Sequence, residues 1–159
     1  YGLPKYIPVD ENHPLKPSSY YGYSKLVIEQ NLKWFSDLKG IRFASLRYFN
    51  AAGYDIKKRL SSLEVAPKNL IPIVMETAIG VREKINIYGK DYNTKDGTGV
   101  RDYIHVTDLA RAHINAIQYL KNKEENLIVN LGTGNGYSVL DIINKVQEVT
   151  NLNIGFEYM

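Results

Sequence analysis

At 159 residues, 44% hydrophobic and 23% charged, the chain has the size and balance of one globular domain with a sizeable core. Its net charge of +3 is interspersed, which argues against a nucleic-acid or membrane-surface partner. Cysteine is absent, which excludes disulfides and thiolate metal sites and suits a reducing, cytoplasmic compartment. No apolar run approaches the roughly 20 residues needed to span a bilayer, and no basic-then-apolar leader opens the chain. The chain starts Tyr1-Gly2-Leu3-Pro4 and stops within strand-like residues 154–158, so a piece of a longer chain is expected.

Residues 1–19 are rich in proline and polar side chains and read as loop. Ser18 or Ser19 can cap a helix running to about Lys39, with Val27, Ile28, Leu32, Phe35 and Leu38 at helical spacing and Gly40 as its stop. Residues 41–49 alternate as a strand, and Asn50-Ala51-Ala52-Gly53 leaves its end. Helix, short turn and strand in this order suit a parallel α/β sheet. Residues 54–67 read as a polar loop, 69–80 as a helix with Pro72 in its first turn, 85–88 as a short strand and 89–99 as a glycine-bearing loop. A strand is expected over 101–106, then a helix capped by Thr107 and running to about Lys121 with Leu109, Ala112, Ala116 and Leu120 inward. Residues 127–131 read as strand. Ser138 caps a last helix, 139–150, and Asp141 completes a capping-box pattern.

Tyr21 and Lys25 stand four apart at the start of the first long helix and so share a face. A phenol has an ordinary pKa of about 10, and a neighbouring ammonium favours its ionised form. Such a pair can take a proton from a hydroxyl while another group removes hydride from the same carbon. Thirteen tyrosines make the spacing alone unspecific, and the alternative is a tyrosine lying along an exposed helix beside a lysine. Gly132-Thr133-Gly134-Asn135-Gly136 lies between strand and helix, but Tyr137 stands where a dinucleotide loop needs its third glycine, so a tight turn is expected. His13, His105 and His113 are too scattered for a metal site, and His105 reads as structural. Arg101 opens a strand after a glycine-bearing loop; its fork suits phosphate oxygens, or an ion pair with Asp102 or Glu83.

Five stretches carry a family resemblance: YGYSK at 21–25, LRYFN at 46–50, NLIP at 69–72, DYNTKDGTGVRDYIHV at 91–106, and NLGTG at 130–134 with SVLD at 138–141. With these the chain resembles the UDP-glucose 4-epimerases, extended short-chain dehydrogenase/reductases. The first motif marks the superfamily and the long fourth one points to the epimerases. The resemblance implies an α/β chain: part of a Rossmann-like doubly wound parallel sheet plus a smaller α/β substrate-binding region. It assigns 1–53 to the NAD-binding domain and 54–159 mainly to the UDP-sugar region, with some segments returning to the sheet.

The resemblance also implies chemistry. Bound NAD takes hydride from C4 of the hexose while Tyr21 removes the O4 proton, and the transient 4-keto sugar is reduced on its other face. Lys25 would bind the nicotinamide ribose and assist Tyr21, and Phe49 would contact the cofactor. Asn50, Asn69, Asn86, Ile87, Tyr88 and Arg101 would hold the UDP-sugar, Arg101 at the diphosphate. The glycine-rich NAD loop and a Ser or Thr beside the tyrosine would lie upstream of Tyr1, and further substrate contacts beyond Met159. A homodimer through the first helix, marked by Trp34, is implied too. A nucleotide-sugar dehydratase or decarboxylase, and a non-catalytic nucleotide-sugar binding module, are the other readings.

Overall fold

The computed structural model describes residues 1–60 and 64–159. Of the loop expected at 54–67, residues 61–63 lie outside the described residues. Helix α1 spans Tyr20–Lys39. Ser19 is its N-cap, with Oγ accepting the Gly22 N–H at 3.1 Å. Gly40 ends it at φ 64°, a left-handed conformation that costs glycine no Cβ clash, and its N–H donates to the Ser36 carbonyl. Of the apolar residues at helical spacing, Val27 and Leu32 are partly buried. Ile28, Phe35 and Leu38 are exposed at 51%, 54% and 69%, and the one buried residue of the helix is Glu29.

Strand β1 (Ala44–Tyr48) is the middle of the expected run, and β2 (Asn50–Ala52) follows after one residue. Helix α2 spans Leu70–Ala78, with Asn69 at its N-cap and Pro72 in the first turn, where a missing N–H leaves no helical bond unmade. Strand β3 is Ile85–Ile87. The strand expected over 101–106 is divided into β4 (Val100–Arg101) and β5 (Tyr103–His105), because the two halves pair with different partners. Helix α3 (Val106–Lys123) starts at the next residue, so Thr107 lies inside its first turn instead of capping it. Strand β6 (Leu127–Leu131), β7 (Tyr137–Ser138), α4 (Val139–Thr150) and β8 (Phe156–Tyr158) complete the chain. No helix among the described residues is long and apolar enough to cross a membrane.

The chain forms two compact units, each discontinuous in sequence. The first comprises Tyr1–Phe49 and Val106–Gly134. Its β1 and β6 are parallel, from Ala44 opposite Leu127 to Tyr48 opposite Leu131, and α3 leads into β6. Phe43, Leu109 and Ala116 are buried here, the last two from the inward face expected for α3. The second unit comprises Asn50–His105 and Asn135–Met159. It pairs β2 with β5 and β3 with β8, both parallel, and β4 with β7 antiparallel. Its core is Val74 of α2, Ile85 and Ile87 of β3, Ile143 of α4 and Ile154. The α/β class with parallel pairing is the one expected from the sequence.

Candidate active site

In the first unit, Tyr21 and Lys25 occupy the opening turns of α1. Lys25 Nζ stands 5.0 Å from the centroid of the Tyr21 ring, and both side chains are exposed. The Ser19 cap fixes the helix start one residue before Tyr20, and Ser24 Oγ donates to the Tyr21 carbonyl at 2.7 Å. The four-residue spacing thus places an ammonium beside a phenol on an open face.

Below that pair, on the same face, Glu29 is 7% exposed. Its carboxylate accepts Ser45 Oγ at 2.7 Å and Arg47 Nε at 2.9 Å, takes a second bond from Arg47 Nη2, and has Lys33 Nζ at 3.7 Å. The Arg47 guanidinium, with Ser45 and Lys33 in support, holds the Glu29 carboxyl below the usual carboxylate range despite its burial. Arg47 is pushed further above its ordinary value, chiefly by the same carboxylate. Arg47 Nη1 also donates to the Tyr1 hydroxyl at 2.7 Å, and that hydroxyl donates to Asn130 Oδ1 at 2.6 Å. Asn130 faces Arg47 in the β1–β6 register. Phe49, at the end of this strand, stacks on Tyr1 with ring centroids 6.4 Å apart.

In the second unit, Asn50 donates from Nδ2 to the Asp102 carbonyl at 3.0 Å. Asn69 caps α2 through its backbone, with no side-chain cap bond. Asn86, Ile87 and Tyr88 run along and just past β3; Asn86 and Tyr88 are exposed, whereas the Ile87 side chain is buried in the core. The Ile87 carbonyl accepts the Met159 N–H at 3.0 Å. Arg101 is exposed and donates from Nη1 to the Val100 carbonyl at 2.9 Å. Burial pushes the neighbouring Tyr103 phenol above its usual value, with Arg101 pulling the other way.

The strand bearing Arg101 is secured by its own loop. Asp96 accepts the Thr98 N–H at 2.9 Å and the Thr98 hydroxyl at 2.7 Å, and bonds the Ser138 hydroxyl. Burial opposes ionisation of Asp96, but the Ser138 and Thr98 donors hold its carboxyl below the usual range. Ser138 Oγ in turn accepts the Asp141 N–H at 3.0 Å, and Asp141 accepts the Ser138 N–H, the reciprocal cap expected from sequence. Residues 132–136 form the link into β7, as their glycines suggest. His105 packs its ring against Gly53, where an added Cβ would come within 2.1 Å of Cδ2; with φ at 88°, position 53 requires glycine twice over. His13 is buried, with Nε2 accepting the Lys5 N–H at 2.8 Å and Nδ1 3.0 Å from the Pro14 carbonyl.

The family model described as "NAD dependent epimerase/dehydratase family" matches residues 1–132. The chain belongs to this family. A UDP-glucose 4-epimerase of Rhizobium meliloti is 44% identical over 158 residues, which is 98% of this chain and 48% of that protein. The crystal structure of a UDP-glucose 4-epimerase from Brucella ovis in complex with NAD is similar at TM-score 0.94 and 42% identity, over 99% of this chain and 49% of that one. A Bifidobacterium longum UDP-glucose 4-epimerase in complex with NAD+ and UDP matches at TM-score 0.92 and 40% identity, over 100% of this chain and 48% of that one. The chain spans about half the length of the curated relatives it matches. These likenesses make the chain part of a Rossmann-like epimerase fold.

Tyr1 and Glu29 fall outside the five motifs; Asp96 and Asn130 lie inside two of them, but with no role assigned. A signal for Glu29 was present, since it lies four residues after Lys25 on the face shared with Tyr21. Arg47 lies inside a quoted motif, but nothing in a linear motif joins it to Glu29.

Proposed function

We propose that the full-length protein is a UDP-glucose 4-epimerase, interconverting UDP-glucose and UDP-galactose through a transient 4-keto sugar with NAD as cofactor. The observation that carries this reading is the likeness to UDP-glucose 4-epimerases at 42–44% identity, in a chain whose Tyr21–Lys25 pair puts an ammonium 5.0 Å from a phenol ring on an exposed helix start. The residues fit the cofactor: Lys25 offers three N–H donors for ribose hydroxyls, and Phe49 presents a partly exposed ring. NAD, when bound, supplies the hydride acceptor and donor for C4.

Tyr21 takes the proton from the 4-hydroxyl and gives it back. The Lys25 ammonium offsets the charge that builds on the phenolic oxygen. Asn50, Asn69, Asn86, Tyr88 and Arg101 bind and orient the UDP-sugar, Arg101 by forking onto the diphosphate. Ile87 serves through its main chain, since its side chain is in the core.

The assembly is a cytoplasmic homodimer in which the outer face of α1 takes part. Trp34 is 66% exposed beside Phe35 and Leu38, and a shallow depression lined by Gln30, Lys33, Trp34 and Asp37 lies on the same helix. Sedimentation of the full-length protein as a monomer would remove the dimer.

The deciding experiment follows UDP-galactose formation from UDP-glucose by the full-length protein without added reductant. Epimerisation is expected; release of water or CO2 from UDP-sugars points to a dehydratase or decarboxylase instead. Arg101→Ala should raise KM about 10- to 100-fold, the loss of a charge-assisted bond of ~1.5–3 kcal/mol, with cofactor content unchanged.

A further inference from the structure

Helix α1 carries the proposed base, yet no apolar side chain of this helix is fully buried. Its buried residue is a carboxylate, and the groups bonding that carboxylate come from β1: Ser45 and Arg47, with Lys33 in addition from the next turn. Arg47 extends the chain of bonds to Tyr1 and, through the Tyr1 hydroxyl, to Asn130 of β6. Tyr21, Lys25 and Glu29 repeat every four residues, so all three lie on one helical face. At a rise of about 1.5 Å per residue, Tyr21 and Glu29 are about 12 Å apart along the axis. A helix passes rotation and translation along its length, so the angle at which Glu29 meets Arg47 sets where the phenol points.

We infer that Glu29, bonded to Ser45 and Arg47, is the positioning residue that aims Tyr21 and Lys25 at the substrate. This inference rests on the reading of Tyr21 as the base. A buried ion pair replaced by apolar groups of like size often loses no stability, so holding the fold together does not require these charges. Directional bonds add a fixed donor–acceptor angle to packing, and so help hold the roll of a helix about its own axis. Misplacement of a reacting group by about 1 Å can cost about 100-fold in rate, which gives this roll a catalytic consequence.

The test uses the full-length protein and the double variant Glu29→Met/Arg47→Met. It compares Tm, kcat, KM for UDP-glucose, and amide hydrogen exchange at residues 20–25. Tm and KM should stay close to wild type while kcat falls at least about tenfold. Exchange at 20–25 should quicken, a readout independent of cofactor. Wild-type kcat and exchange in a stable double variant would overturn the inference and leave Glu29 a structural ion-pair residue. If the double variant does not fold, Ser45→Ala removes one donor to the carboxylate. It should lower kcat about threefold at constant KM with faster exchange at 20–25, and wild-type values there overturn the inference equally. Tyr21→Phe is run in parallel. Full activity in that variant removes the base assignment, while the exchange data still judge whether Glu29 orders the start of α1.

Discussion

Helices α1 and α4 start alike and attach differently. Each has a serine N-cap whose hydroxyl accepts a backbone N–H, and each ends in a left-handed residue, Gly40 or Asn151. Helix α4 then buries Ile143 completely among Val74, Ile85, Ile87 and Ile154. Helix α1 buries Glu29 against Ser45 and Arg47, while Ile28, Phe35 and Leu38 are exposed on this chain, which spans about half the length of its relatives. Apolar burial is roughly proportional to area and indifferent to direction, so it suits a helix whose task is to complete a core. Charge-assisted hydrogen bonds are short and directional, so they suit a helix whose first turns carry reacting groups.

The contrast predicts that turnover depends on α1, and that the two anchors lose stability with different pH dependence. The largest effect is expected for Tyr21→Phe. Turnover of the full-length protein should fall about 10²–10⁴-fold, because a positioned proton acceptor is lost, while Tm barely moves because the side chain is exposed. Near-wild-type turnover would end the assignment of Tyr21.

Glu29→Gln comes next and tests the polar anchor. It should destabilise by about 3 kcal/mol at neutral pH by leaving Arg47 partly unpaired. The folded carboxyl of Glu29 titrates below its ordinary value, so its contribution is present above the ordinary carboxylate range and is lost as pH falls through the folded value. The difference in urea midpoint between wild type and Glu29→Gln should therefore hold steady from neutral down to the ordinary glutamate value of about 4.3 and shrink only as pH falls below it. A gap that is flat with pH, or widens in acid, contradicts the ion-pair account.

Ile143→Ala probes the apolar anchor. A fully buried isoleucine should cost about 2–5 kcal/mol, visible as a lower urea midpoint at any pH from 4 to 8. The absence of pH dependence, set against Glu29→Gln, is the sharpest form of the comparison. The smallest effect is Ser138→Ala, about 1 kcal/mol for a lost cap, with an added loosening of the 89–99 loop measurable by hydrogen exchange.

What could be read from the linear chain follows the same division. Local signals act over a few residues and were legible: Ser19 and Gly40 bound α1, and Ser138 with Asp141 capped α4 as the pattern required. Apolar periodicity oriented α3, whose Leu109 and Ala116 are buried, and marked α1 as a helix without showing that its buried position is Glu29. In α1 the inward position is taken by a charge whose partners are 16 and 18 residues away, and no helical period contains them. The break at Asp102 was likewise hidden, because alternation along a strand does not say which neighbour each half will pair with. The Tyr21–Lys25 neighbourhood followed directly from spacing. The anchor through Tyr1 and Asn130 joins residues 129 apart and needed the fold.

The double use of the Ser138 hydroxyl limits which residues position 138 can accept. It receives the Asp141 N–H and at the same time bonds the Asp96 carboxylate. Helix capping alone would admit aspartate and asparagine as readily as serine. The second duty excludes aspartate, which would set one carboxylate against another, and penalises asparagine, whose amide must accept and donate from different atoms in a fully buried space. Threonine is the replacement that keeps both bonds. In a saturation library at this position, selected for folding, threonine should survive best and aspartate should be depleted despite being a favourable cap.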